Sequence, residues 1–120
     1  EGLLHPFPRT LTMRADDENY TRFDLTPSDL GGETGNEPLI VGTVLLTEYK
    51  QGAEWEPQIL TAGKGVLEMM PFTFSFINRP DFSLDVLNNI VSRAILVSSL
   101  RGSADIFAET LLDFVDKHVN

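Results

Sequence analysis

The sequence predicts a mixed fold of the α/β or α+β class, with a mostly antiparallel or mixed sheet of about five strands and three to four covering helices. A β-branched, apolar run over residues 39–49 is typical of a buried strand. Apolar residues spaced three and four apart over 83–93 indicate an amphipathic helix. A second apolar run at 94–99, followed by another amphipathic stretch, adds a strand and a closing helix.

The first part of the chain is predicted to form two short strands and one short helix. Residues 9–14 alternate polar and apolar side chains, which predicts a half-buried strand. Residues 16–19 predict a turn, and residues 20–25 a second short strand. Residues 26–29 combine a threonine cap, a proline and an acid, as at a helix start, and the glycine pair at 31–32 ends that helix at once.

The remaining chain is predicted to alternate strands with helices. Residues 59–61 are expected to form the hairpin partner of the 39–49 strand, across a loop that contains Gly52. Pro71 is expected to end the first long helix. Helices are predicted at about 62–70, 83–93 and 103–117, and a strand at about 94–99.

Length and composition define the class of protein. A chain of 120 residues is long enough for a single domain, 1–120, with a core of its own. Because the chain begins with Glu1 and continues into an apolar, proline-rich segment, we expect it to be the C-terminal part of a larger protein. The absence of cysteine excludes disulfides and thiolate metal sites and is compatible with a reducing compartment, so a cytoplasmic location is expected.

The net charge indicates the kind of partner. With 18 acidic and 9 basic residues, the chain carries a formal charge of -9 and is repelled by phosphate backbones and anionic lipid headgroups. We therefore expect a protein or peptide partner with a basic surface, and neither nucleic acid nor a membrane. A homo-oligomer is left open.

Several clusters invite a metal or nucleotide interpretation. Asp16, Asp17 and Glu18 resemble a magnesium site, but adjacent carboxylates in a turn without a nearby histidine are more often solvated. The glycines at 31–35 precede a strand and lack the Gly-Lys-Ser/Thr ending of a phosphate-binding loop. We therefore expect neither a metal nor a cofactor on this chain.

No catalytic residue can be assigned from the sequence. His5, His118 and the Ser98–Ser99 pair show no pattern that joins a nucleophile to an oriented base. Residues 69–76, rich in Met and Phe, are interpreted as core, with an adaptable binding groove as the alternative. Arg9, Arg14 and Arg22 also have two interpretations. They either share one face of the sheet and contact an anion or a partner, or they are ordinary solvated side chains.

The order of these pieces resembles a known family. Residues 4–14 are similar to the Pro-Arg-Pro strand of HPr-kinase-like ATPases (related to HPr serine kinase/phosphatase), although Thr10 stands where the family often has a second proline. Residues 25–31 resemble a Pro-x-Asp-Leu-Gly element, and residues 39–53 resemble a strand that ends in Tyr-x-x-Gly-Ala. Residues 60–70 and 94–114 are similar to the later helix and to the closing strand and helix.

The resemblance implies the C-terminal portion of a phosphate-loop ATPase without its nucleotide-binding segment. Such a portion would complete the sheet and offer a surface to a protein or peptide substrate. ATP and magnesium would be bound only by an upstream segment. The Ala15-Asp16-Asp17 triplet resembles the family's acidic strand but follows the Pro-Arg strand, so no catalytic role is carried over to it. The alternative is a stand-alone acidic interaction module, such as an assembly chaperone or a virion component.

Overall fold

The computed structural model describes the backbone of residues 2–119 and the side chains of residues 2–118. The chain divides into two compact units, one formed by residues 4–39 and the other by residues 40–119 together with residues 2–3. The strands are β1 (Leu3–Leu4), β2 (Leu11–Arg14), β3 (Arg22–Leu25), β4 (Leu39–Ile40), β5 (Thr43–Tyr49), β6 (Gln58–Ile59) and β7 (Ile95–Arg101). The helices are α1 (Ala62–Met69), α2 (Pro80–Val91) and α3 (Ala104–Val119), with 3-10 turns at Ser28–Leu30 and Met70–Phe72.

The predicted mixed α and β content is confirmed, and the strands are divided among three small sheets: β1 with β4, β2 with β3, and a mixed sheet in the order β5-β7-β6. The predicted 39–49 strand is interrupted at residues 41–42, where the chain leaves β4 and begins β5. The predicted helices at 62–70, 83–93 and 103–117 correspond to α1, α2 and α3.

In the unit of residues 4–39, β2 and β3 form an antiparallel hairpin with two distinct faces. Leu11 opposite Leu25 and Met13 opposite Phe23 form the apolar face. On the other face the Thr12 hydroxyl donates a 2.7 Å hydrogen bond to Asp24. The alternation predicted for residues 9–14 therefore describes a strand, but the strand begins at Leu11 and all four of its residues are exposed, so the prediction of half-burial is wrong.

The predicted helix start at Thr26 is present, but the helix is a single 3-10 turn. The Asp29 amide donates to the Thr26 hydroxyl oxygen at 3.3 Å, and the Thr26 amide donates back to the Asp29 carboxylate at 2.7 Å. This reciprocal bonding is the arrangement of a capping box. Gly31 then adopts a left-handed φ of 73°, which ends the turn after three residues.

In the unit of residues 40–119, β7 is the central strand. β5 runs parallel to it, from Thr43 opposite Ile95 to Tyr49 opposite Arg101. β6 pairs antiparallel with the other edge of β7. The predicted hairpin between β5 and β6 is therefore wrong, because β7, which comes later in the chain, lies between them. Local turn signals report only contacts between neighbouring segments, and this pairing spans about 40 residues of sequence.

The core surrounds β7. Val97 is fully buried, and Leu96 on the opposite face is 3% exposed. Gly65 of α1 lies directly against Leu96, so that a Cβ atom at this position would overlap the Leu96 side chain. The other buried apolar residues come from the three helices and from the residue that follows β6: Leu60, Val66, Leu87 and Phe114.

Aromatic contacts connect α3 to the loop before β6. The Trp55 ring meets the edges of Phe107 and Phe114, with centroid separations of 5.0 and 5.7 Å. These tilted geometries are the ones favoured by aromatic quadrupoles. The stripe predicted along the last helix is therefore the face that packs on Trp55.

The close approach of α1 to β7 can be tested with two glycines of the same helix. We expect Gly65→Ala to lower the free energy of unfolding by about 1–3 kcal/mol, because the new methyl group displaces Leu96. Gly63→Ala is the matched control: a Cβ there meets open space, and the change is expected to raise stability by about 0.5–1 kcal/mol. Urea denaturation measures both, and equal stabilities for the two variants would contradict this packing.

Candidate functional site

A groove of about 1100 Å³ runs along β5 from Val44 to Glu48 and over the C-terminal half of β7. Because these strands are parallel, their carboxyl ends meet at one side of the sheet, which is where open α/β sheets bind ligands. The groove is bordered by the loop after β5, by the end of α1 and by the 3-10 turn that follows it.

The loop after β5 is shaped by one glycine and fastened to β7. Gly52 has a left-handed φ of 73°, which allows the Ala53 amide to donate to the Lys50 carbonyl at 3.0 Å. The Glu56 amide donates to the Ser99 hydroxyl oxygen at 3.1 Å. The acidic side chains of this loop are thereby carried on a backbone that is tied to the sheet.

The charged lining of the groove is predominantly acidic. Four glutamates and one lysine, Lys50, line it: Glu48, Glu54, Glu56 and Glu68. Glu68 is 3.9 Å from Lys64 one helical turn away, an exposed pair of small energetic value. Within residues 2–118, the other three glutamates have no ion-pair partner. The groove therefore carries unneutralised negative charge.

Apolar side chains complete the lining and continue beyond it. Met69 is half-buried, whereas Phe72 is 73% exposed. Just outside the groove, Phe74 and Ile77 are 98% and 91% exposed. The interpretation of residues 69–76 as core is therefore wrong for its first two phenylalanines. This segment connects α1 to α2 through turns, so its aromatic residues do not fall on one face.

The three arginines are only partly brought together. Arg14 and Arg22 lie directly opposite each other in the β2–β3 register, on the same face of the hairpin, and both are exposed. Arg9 precedes β2 and lies outside the strand. Like charges directly opposite each other are destabilising, so an anion between Arg14 and Arg22 would be favourable. Contact with an anion or partner stays a prediction.

Of the remaining candidates, Ser99 and His118 form hydrogen bonds with the backbone. The Ser99 hydroxyl donates to the Leu100 carbonyl at 2.7 Å and accepts the Glu56 amide, so it is engaged by the backbone. The His118 ring stacks on Phe114 at 4.1 Å, and its Nδ1 lies 2.8 Å from the Phe114 carbonyl oxygen. His5 is exposed.

The acidic residues 16–18 form the turn of the β2–β3 hairpin. The Thr21 amide donates to the Asp17 carboxylate at 2.9 Å. Hydrogen bonds from Thr21, first from its side chain and then from its backbone, lower the pKa of Asp17 from its usual 3.8. In the part of the chain with described side chains, no three His, Asp or Glu residues converge as metal ligands.

Sequence reasoning missed the groove glutamates. They are contributed separately by β5, by the following loop and by α1, so no short motif contains them all. The one local signal is the Glu54-Trp55-Glu56 triplet, in which an aromatic residue that packs inward separates two acids that face outward. The turn at Gly52 and the hydrogen bond from the Glu56 amide to Ser99 of β7 place Glu54 and Glu56 in the same groove as Glu48.

No protein family, curated protein or solved structure matches the chain. None of the helices within residues 2–119 has the length and apolar character needed to cross a membrane.

The hairpin turn predicts a specific pH dependence. Because the pKa of Asp17 is lowered in the folded state, its contribution to stability is present above the unfolded value near 3.8 and is lost as the pH falls through the lower folded value. We expect the Thr21 amide resonance in NMR spectra to titrate below pH 3.8. Asp17→Asn should abolish that titration, and Asp16→Asn, which leaves the Thr21 bond in place, should preserve it. An unchanged titration in Asp17→Asn would exclude this hydrogen bond.

Proposed function

We propose that this chain is the non-catalytic C-terminal portion of an HPr-kinase-like, phosphate-loop ATPase. Its role is to complete the sheet of that protein and to present a surface to a protein or peptide substrate. The ordered resemblance of five segments supports the family, and the parallel β5–β7 pair supports the role, because parallel strands are found almost entirely within larger, covered α/β sheets.

The open edge of β5 carries the proposal. The Ile95 amide donates to the Gly42 carbonyl at 2.9 Å, and the Lys50 amide donates to the Arg101 carbonyl at 3.0 Å. In a parallel ladder, alternate residues of a strand bond to opposite neighbours. The even-numbered positions from 42 to 50 therefore face β7, and the N–H and C=O groups of the odd positions face away: Thr43, Leu45, Thr47 and Tyr49.

No strand among the described residues pairs with this outer edge. The N–H and C=O groups of these four alternate residues are thus free to pair with another strand. Natural proteins usually pair or cover such an edge. A strand from the remainder of an ATPase is the occupant that the proposed family provides. ATP and magnesium would be bound on that remainder, and the expected location of the whole protein is the cytoplasm.

A stand-alone acidic interaction module is the second candidate. The exposed apolar side chains of Phe72, Phe74 and Ile77 favour it, because three large apolar residues this close together in sequence and this exposed are typical of a binding surface. In this case β5 would still be an edge strand, and the partner would be a separate protein.

Hydrogen exchange along β5 tests the open edge. In the isolated chain we expect fast exchange for the amides of Thr43, Leu45 and Thr47, and protection for those of Val44 and Leu46, because only the latter donate to β7. Uniform protection along the strand would show that the edge is already covered and would contradict the proposal.

A pair of proline variants provides an independent check. Thr47→Pro removes an N–H that faces outward and should leave the fold intact, whereas Leu46→Pro removes one donated to β7 and should lower stability by about 3 kcal/mol or more. Circular dichroism during thermal unfolding distinguishes them.

Because the proposal assigns nucleotide binding to another segment of the ATPase, it also predicts that this chain binds nucleotide weakly. Titration calorimetry of this chain with Mg-ATP should give no micromolar affinity, because a phosphate-binding loop is absent from its sequence. Micromolar binding would place the nucleotide site on this chain and overturn its assignment as a non-catalytic portion.

A further inference from the structure

We infer that the groove along β5 and β7 binds a cationic peptide segment that alternates basic and apolar side chains. The inference rests on the proposed role of this chain as a surface for a protein or peptide partner, and it identifies the chemistry of that partner. Leu45 and Thr47 belong both to the outer edge used for sheet completion and to the lining of the groove, whereas the residues on which this inference rests lie beyond them, at Glu48, on the loop after β5 and at the end of α1.

The size of the groove favours a peptide. Pockets for small molecules occupy roughly 300–1000 Å³ and enclose most of their ligand. The groove occupies about 1100 Å³ and is lined by exposed residues on several sides, Glu54 and Phe72 among them. An elongated chain segment fills such a shape without having to be enclosed.

The charge of the groove determines the sign of the ligand. Glu48, Glu54 and Glu56 have no ion-pair partner in the described part of the chain, and Lys50 is the one cation in the lining. Phosphates, nucleic acid and acidic peptides are repelled by this surface, and so is a second copy of this chain, whose net charge is -9. Lysine or arginine side chains are attracted.

The apolar part of the lining determines the second property of the ligand. Phe72 and Leu100 expose 73% and 41% of their surfaces while lining the groove, and Met69 adds an adaptable side chain beside them. Burial of these side chains requires apolar groups on the partner. A peptide that alternates lysine with leucine satisfies both parts of the lining.

Titration calorimetry with an unlabelled peptide of alternating lysine and leucine tests the inference. We expect binding to this chain that weakens as salt is raised, and no binding of the same peptide with glutamate in place of lysine. Absence of binding by the lysine peptide at low salt would overturn the proposal.

Two charge-matched triple variants distinguish the groove from the general acidity of the chain. Removal of the groove charges in Glu48→Gln/Glu54→Gln/Glu56→Gln should weaken peptide binding about tenfold or more. Removal of three charges outside the groove, in Glu33→Gln/Glu37→Gln/Glu109→Gln, leaves the same net charge and should change affinity by less than about twofold. Equal effects of the two variants would mean non-specific attraction and would overturn the site.

A second matched pair tests the apolar contact. Phe72→Ala, within the groove, should weaken binding about fivefold or more, and Phe74→Ala, which is 98% exposed and outside it, should have little effect. Both residues are exposed, so both variants should fold. If Phe74→Ala has the larger effect, the peptide binds elsewhere.

Hydrogen exchange of the β5 amides, measured alongside peptide binding, distinguishes failure of this inference from failure of the proposed function. Alternating exchange without peptide binding would leave sheet completion intact and exclude the cationic ligand. Peptide binding with uniform protection of β5 would retain the groove and exclude sheet completion.

Discussion

The packing of β7 between two strands and beneath α1 is the constraint on which the unit of residues 40–119 depends. Leu96 and Val97 point to opposite faces of the sheet, and both are almost fully buried. Leu96 has room for its side chain only because residue 65 of α1 is a glycine. With β7 fixed in this way, β5 and β6 can add only at its two edges. The open edge of β5 and the groove along β5 and β7 both follow from that arrangement.

The elements of this fold could be predicted from local patterns, but the order of the strands could not. The apolar spacing in residues 83–93 and the alternation in residues 9–14 depend only on neighbouring residues, and they correctly predicted a helix and a strand, although the strand is exposed where half-burial was expected. The pairing of β6 depends on Leu96 and Val97, which lie far along the chain and are buried on both faces. A turn at Gly52 favours a hairpin locally, and the burial of β7 outweighs it.

The same distinction explains why the groove was missed. Sequence patterns identify sites when the ligating residues lie in one short segment, as in a phosphate-binding loop. Here the acids come from three separated elements, and the Met and Phe segment resembles core because its composition is apolar. Its exposure is a consequence of geometry: Pro71 follows the end of α1, and the chain then passes through turns that direct Phe74 to the surface.

The groove and the edge of β5 share Leu45 and Thr47 but would employ different physical interactions with a partner. The edge offers backbone donors and acceptors in fixed spacing, which bind any extended strand with little regard to its charge. In the proposed interaction the groove would select a peptide by electrostatic attraction, which salt screens, and by apolar contact, which salt leaves intact. A chain assembled into a larger sheet through β5 would retain Glu54 and Glu56 on the loop beyond the strand. Sheet completion would then make β5 more rigid and hold these carboxylates in place for a basic segment, which lowers the entropy lost on binding.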